Sequence, residues 1–169
     1  MLVLGGARSG KSAYGESLVA ASGLALVYIA TAEAGDAEMA QRIANHQARR
    51  GLAWRTVEEP LELEAALAEH GGEGRAVLVD CLTLWISNLM HAGLDAEARG
   101  RALCDAMRNI SGPVVFVSNE IGLGLVPETP LGRRFRDAQG RLNQAVAQVA
   151  DHVVFVAAGL PIHLKGAPQ

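Results

Sequence analysis

The chain opens on an apolar run, Met1-Leu2-Val3-Leu4, that passes directly into Gly5-Gly6-Ala7-Arg8-Ser9-Gly10-Lys11-Ser12. Few features constrain a fold more tightly. Glycines at this spacing let successive backbone N–H groups curl around an anion without Cβ clashes, and a helix starting behind the loop aims its positive dipole end at the same place. The lysine reaches the β- and γ-phosphates and the serine hydroxyl ligates Mg²⁺. The pattern carries meaning only between a strand and a helix, and both are present. Ser12 to Ala21 reads as a helix with Tyr14, Leu18 and Ala21 on one face. A nucleoside triphosphate is therefore the expected ligand class, with Gly5, Gly6, Ala7, Arg8, Ser9, Gly10, Lys11 and Ser12 forming its phosphate loop.

The rest of the chain alternates strands and helices. Strands are expected at Ala25–Ala30, Trp54–Val57, Ala76–Val79, Val114–Val117 and His152–Val156. Helices are expected from Asp36 to about Arg50, from Pro60 to Leu67, from Leu82 to Met90, from the capping Asp95 to Asn109, and from Leu131 to Ala150. The strands are continuous apolar runs rather than apolar–polar alternations, so both faces should be covered. The expected architecture is α/β: a P-loop NTPase-type, mostly parallel sheet with helices on both faces, in a single domain spanning 1–169.

Composition agrees. The 169 residues suit one domain with one sizeable core, and 50% are hydrophobic against only 4% aromatic. The 15 basic and 18 acidic residues give a net charge of −3, which offers no general surface for nucleic acid or membrane. No apolar run is long enough to span a bilayer, and because the first strand is expected from residue 1, no signal peptide is expected ahead of the phosphate loop. Cys81 and Cys104 lack metal-ligand spacing and read as reduced packing residues, which suits a cytoplasmic enzyme.

Three further groups carry chemistry. Asp80 ends an apolar strand, where a triphosphatase places the carboxylate that holds Mg²⁺ directly or through water, beside the first strand's loop. The alternative for Asp80 is a helix N-cap. Glu120, after Val114–Val117, is a competing acid. The segment Asp36–Arg50 puts Met39, Ile43 and His46 on one helical face, with Arg42 and Arg50 nearby. A neutral imidazole kept between arginines and beside phosphates can act as a nucleophile; a packed or surface histidine is the plainer reading. Arg133, Arg134 and Arg136 form a second basic cluster, either a solvated helix face or a grip on a phosphorylated ligand. Asn119–Pro127 either covers a large ligand or is a crossover loop. The guanine-reading N-K-x-D pattern is absent, which argues against a switch GTPase, and no Arg-rich lid interrupts the chain.

Taken in order, these residues resemble the bifunctional adenosylcobinamide kinase / adenosylcobinamide-phosphate guanylyltransferase family over nearly the whole chain. The resemblance rests on Gly5–Ser12, Tyr28-Ile29-Ala30-Thr31-Ala32, Arg42-Ile43-Ala44-Asn45-His46, Trp54–Pro60, Asp80-Cys81-Leu82-Thr83, Ser118–Pro127 and Arg134–Gln144. It implies a kinase step on the aminopropanol hydroxyl of adenosylcobinamide, then transfer of GMP from GTP through a covalent guanylyl intermediate on His46. It implies Lys11 and His46 as catalytic residues. It implies nucleotide contacts from Gly5–Ser12, Thr31, Ala32, Glu33, Gln47, Ala48, Arg49, Arg50, Glu58 and Asp80, with Mg²⁺ on Ser12 and Asp80. The substrates would be GTP, ATP and the corrinoid, and the assembly a cytoplasmic homotrimer. Two other classes stay open on the residues alone: a single-step kinase of another small alcohol, and a non-enzymatic nucleotide-binding regulator.

Overall fold

The computed structural model describes residues 1–32 and 53–166. Its elements are β1 (Leu2–Gly5), α1 (Lys11–Ala20), β2 (Ala25–Ala30), β3 (Trp54–Glu58), α2 (Leu63–His70), β4 (Arg75–Asp80), α3 (Leu82–His91), α4 (Ala96–Asn109), β5 (Val114–Asn119), α5 (Pro130–Val149), β6 (Val153–Ala157) and β7 (Leu160–Lys165). The seven strands form one sheet in the order β3-β2-β4-β5-β1-β6-β7. All neighbouring pairs are parallel except β6–β7.

Side chains alternate across each strand, so the sheet divides two cores. On one face Leu2, Ile29, Val77, Val79 and Phe116 pack against α2, α3, α4 and α5 through Leu67, Trp85, Leu103 and Val146. On the other face Val3, Tyr28, Leu78, Val115 and Val117 pack against α1 through Val19. Helices therefore cover both faces, as the unbroken apolar strands require. Gly15 is what lets α1 lie so close. A Cβ there would stand 3.0 Å from Leu78 Cδ1 and 3.2 Å from Val117 Cγ2.

Local chemistry sets the helix ends. The Asp95 carboxylate accepts from the N–H groups of Glu97 and Ala98 at the start of α4, and Thr129 Oγ1 accepts from Gly132 N at the start of α5. The expected helix from Pro60 begins later, at Leu63. Glu59 Oε1 takes the N–H groups of Leu61 and Glu62 and holds a turn there instead. The expected helix at Asp36–Arg50 lies outside the described residues.

Two arrangements depart from the sequence reading. The strand ending at Asp80 is not β1's neighbour, because β5 lies between them. The last strand, β7, follows a two-residue turn at Ala158 and Gly159, both with positive φ (51° and 80°), and folds back along β6. A turn of this left-handed kind matches the twist of an antiparallel pair.

Candidate active site at the C-terminal sheet edge

In a parallel sheet every strand delivers its last residue to the same edge. Registry shows it here: Ala30 stands opposite both Glu58 and Asp80, and Gly5 opposite Asn119. Ligands of open α/β sheets bind in the crevice outside these carboxyl ends. The loop Gly6–Gly10 fills that position between β1 and α1.

The loop is held on both sides. Glu120 N donates to Gly5 O at 3.1 Å, and Gly159 N donates to Ser9 O at 2.8 Å. Gly10 is the N-cap of α1 at φ 96°, a region that a side chain with a Cβ rarely enters. Lys11 opens the helix. It is buried, and its Nζ donates to Gly6 O at 3.2 Å, so its ammonium lies folded over the loop. Ser12 follows on the first turn. Loop, lysine and serine thus follow one another at the head of α1.

Asp80 belongs to the same side of the sheet. It shares the parity of Leu78, which packs toward α1, and its Oδ2 accepts from Tyr28 Oη at 3.1 Å. The N-cap alternative does not hold: Cys81 is the N-cap of α3, and no side chain caps that helix end. The competing acid Glu120 sits one strand nearer to β1, but its Oε1 accepts from Gly122 N and stabilises the turn that follows. Asp80 and Ser12 both present hard oxygen donors. Such donors, completed by phosphate oxygens and water, suit Mg²⁺. Among the described residues no group of three or more His, Cys, Asp or Glu side chains gathers into a metal site.

Thr31 is fully buried, and its hydroxyl both donates to Cys81 O at 2.7 Å and accepts from Cys81 N at 2.8 Å. Asn88 Nδ2 in turn donates to Thr31 O at 2.7 Å. Thr31 therefore acts on the backbone that carries Asp80. Burial pushes the Cys81 thiol up to about 11. The charge of Asp80 adds to this, and Lys11 acts in the opposite sense. These three residues share one electrostatic neighbourhood. Ala32 is half-buried behind Thr31, and Glu58 is exposed at the end of β3. Glu33, His46, Gln47, Ala48, Arg49 and Arg50 lie outside the described residues.

One residue at this edge enters the sequence reading only as the first of the stretch Asn119–Pro127. Asn119 shares the parity of Val117 and so faces α1's side. Its N–H donates to Thr83 Oγ1 at 2.8 Å and its carbonyl accepts from Asn143 Nδ2 at 3.0 Å. Its side-chain Oδ1 is buried with no hydrogen-bond partner among the described residues. Behind it Ser118, Gln139 and Asn143 form a buried network: Ser118 Oγ donates to Asn143 Oδ1 at 2.7 Å, and Gln139 Nε2 donates to Ser118 Oγ at 2.8 Å. This network ties the end of β5 to α5. The sequence signal for this network is the run of polar residues Ser118-Asn119-Glu120 that ends an otherwise apolar strand.

Similarity to known proteins agrees with this geometry. The family model described as cobinamide kinase / cobinamide phosphate guanyltransferase matches residues 1–164. The chain is 53% identical over 171 residues to the bifunctional adenosylcobalamin biosynthesis protein CobP of Pseudomonas aeruginosa, covering 99% of this chain and 98% of that one. It is 38% identical over 180 residues to the bifunctional adenosylcobalamin biosynthesis protein CobU of Salmonella typhimurium, covering 98% and 99%. Among solved structures, the flagellar accessory protein FlaH from Methanocaldococcus jannaschii superposes with a TM-score of 0.54 at 14% identity, over 99% of this chain and 80% of that one. The RadB recombinase superposes with a TM-score of 0.51 at 14% identity, over 91% and 72%. At that identity the likeness is one of fold. The full-length family match, the relatives and the phosphate loop agree: this chain belongs to the cobinamide kinase / cobinamide phosphate guanyltransferase family.

Proposed function

We propose that the protein is a bifunctional enzyme acting on a corrinoid. It phosphorylates adenosylcobinamide with a nucleoside triphosphate, then transfers GMP from GTP to adenosylcobinamide phosphate to give adenosylcobinamide-GDP. The observation that carries this reading is the formed phosphate loop, with Lys11 folded over Gly6 at the head of α1, in a chain that matches the family from residue 1 to 164.

In the kinase step the triphosphate lies along Gly5–Ser12. The loop's N–H groups and the α1 dipole hold it, and Lys11 neutralises charge on the transferred phosphoryl group. Ser12 and Asp80 would hold Mg²⁺, which supplies charge neutralisation between the phosphates. Thr31 keeps Asp80 in place through its two hydrogen bonds to Cys81. Positioning and electrostatics account for most of the acceleration in such transfers.

In the transferase step His46 attacks the α-phosphate of GTP. A P–N bond forms as the bond to pyrophosphate breaks, and pyrophosphate leaves. A phosphate oxygen of the corrinoid then attacks the guanylyl-histidine and releases the imidazole. The covalent stage splits one hard displacement into two easier ones. Gln47, Ala48, Arg49, Arg50, Glu33 and Glu58 complete the nucleotide contacts in this reading. It takes the protein as a cytoplasmic homotrimer, which sedimentation analysis tests. Among the described residues no helix is long and apolar enough to cross a membrane.

The decisive experiment is incubation with α-labelled GTP and Mg²⁺. Wild-type protein should take up an acid-labile, base-stable label and pass it to adenosylcobinamide phosphate. His46→Ala should take up none yet retain kinase turnover, and Lys11→Ala should lose both. A wild type that never labels would exclude His46 as the nucleophile; full kinase turnover in Lys11→Ala would exclude the phosphate-loop assignment.

A further inference from the structure

The connection between β5 and α5 is pinned at both ends. At its root Glu120 N bonds Gly5 O. At its far end Arg133 Nη1 donates to Pro127 O at 3.0 Å and to Glu128 O at 2.8 Å. A backbone held this way still presents Leu123 at 83%, Leu125 at 97% and Val126 at 62% exposure. Apolar side chains gain free energy by leaving water, and a cluster of them held in solvent on a fixed frame marks a binding surface. Leu131, also exposed, continues this surface into a cavity of about 320 Å³ whose walls include Ser87, Met90, His91, Thr129 and Phe135. That volume lies in the range of small-molecule sites, and its lining of apolar walls with a few polar groups fits one.

We infer that this loop and cavity form the seat of the corrinoid macrocycle, an inference that rests on the function proposed above. The acceptor hydroxyl sits at the end of one arm of a large ring. That hydroxyl must reach a phosphate on Gly5–Ser12, so the ring must lie within an arm's length of the phosphate loop, at the same sheet edge. The root of the β5–α5 connection stands at this edge, because Glu120 N bonds Gly5 O. The apolar ring edges pack on Leu123, Leu125 and Val126 and on Met90 and Phe135 beyond. The ring's amide arms meet the polar groups of the cavity. His91 Nδ1 lies 2.7 Å from Ser87 O, a contact in which the ring N–H donates; in the neutral imidazole that tautomer presents Nε2 as an acceptor for an amide N–H. A second exposed apolar set among the described residues, Leu160, Ile162 and Leu164, stands along the edge strand β7, a linear face suited to a second protein chain.

The test uses Leu125→Asp, at a position exposed enough that folding is unaffected, with Phe135→Ala as a second variant on the cavity wall. At saturating nucleotide, the KM for cobinamide should rise about tenfold or more in both, while the Kd for GTP changes by less than about twofold. The sedimentation coefficient of Leu125→Asp should equal that of wild type. A cobinamide KM unchanged in Leu125→Asp would overturn the inference, and a changed sedimentation coefficient would assign the patch to a second copy of the chain. Equilibrium dialysis with cobinamide separates the two levels of the argument. Wild type and variant binding equally places the seat elsewhere. Wild type binding none removes the functional reading, and this inference with it.

Discussion

Gly159 N donates a 2.8 Å hydrogen bond to Ser9 O, joining the β6–β7 turn to the phosphate loop. The two segments are 150 residues apart in the chain, yet the turn forms one wall of the loop. Together with the bond from Glu120 N to Gly5 O, it holds the loop from both neighbouring strands, so the backbone N–H groups are oriented before any nucleotide arrives. Binding then loses little conformational entropy.

This packing makes Gly10 intolerant of a side chain. It sits at φ 96°, and an added Cβ would stand 3.2 Å from Gly159 Cα. Gly10→Ala should cost about 1–3 kcal/mol in strain and weaken nucleotide binding about tenfold or more. Thermal unfolding and a GTP titration measure the two effects. A variant that binds GTP as wild type does would show that the loop can move away from the turn.

Thr31 offers a sharper distinction between support and contact. Thr31→Val keeps the shape but leaves the Cys81 N–H without its acceptor, while Cys81 O keeps the bond from Trp85 N. Stranding a buried donor costs about 1–3 kcal/mol, so urea unfolding should show a loss of about that size, with kcat falling because Asp80 is held less firmly. Thr31→Ser keeps the hydroxyl and should restore most of both. Equal behaviour of the two variants would deny the hydroxyl this role.

Acid stability should report the cap of α4. The Ala98 N–H, helped by the Glu97 N–H, holds the Asp95 carboxyl below its ordinary value. A carboxylate with a lowered folded pKa contributes stability that is complete above the ordinary range near pH ~4 and is lost as pH falls through the folded value. Asp95→Asn keeps an acceptor oxygen but cannot titrate. Its unfolding free energy should therefore depend less on pH than that of wild type below about pH 4, and identical slopes would contradict the assignment.

Cys81 should resist thiol reagents. Burial pushes its thiol up to about 11, so the thiolate, the reactive form, is about one part in a thousand at pH 8. Native protein treated with a thiol-reactive dye at that pH should leave Cys81 unlabelled until denaturant is added; mass spectrometry of the labelled peptide decides.

Much of this molecule was legible from residue order. The glycine spacing of Gly5–Ser12 and the unbroken apolar runs at Val27–Ala30, Ala76–Val79 and Val114–Val117 specify a phosphate loop and buried parallel strands, because backbone freedom and local burial are properties of short segments. The caps at Asp95 and Thr129 are local in the same way, though Thr129 drew no attention beside the prolines that flank it. The edge strand β7 went unread. Its Leu160, Ile162 and Leu164 alternate as a strand does, but Pro161 masks the pattern, and the turn needs a positive φ at Ala158, where only a glycine would have announced it.

What the tertiary structure alone decided is which strand ends stand together. Periodicity reports that a strand is buried and not which neighbour it has, so the insertion of β5 between β1 and β4 was invisible, and with it the place of Asn119 opposite Gly5. The same holds for Thr31, which the family resemblance implies as a nucleotide contact and which in the fold also clasps the backbone of Cys81. Residue types named the chemistry of the edge. The order of strands, set by long-range packing, decided which of those residues share it.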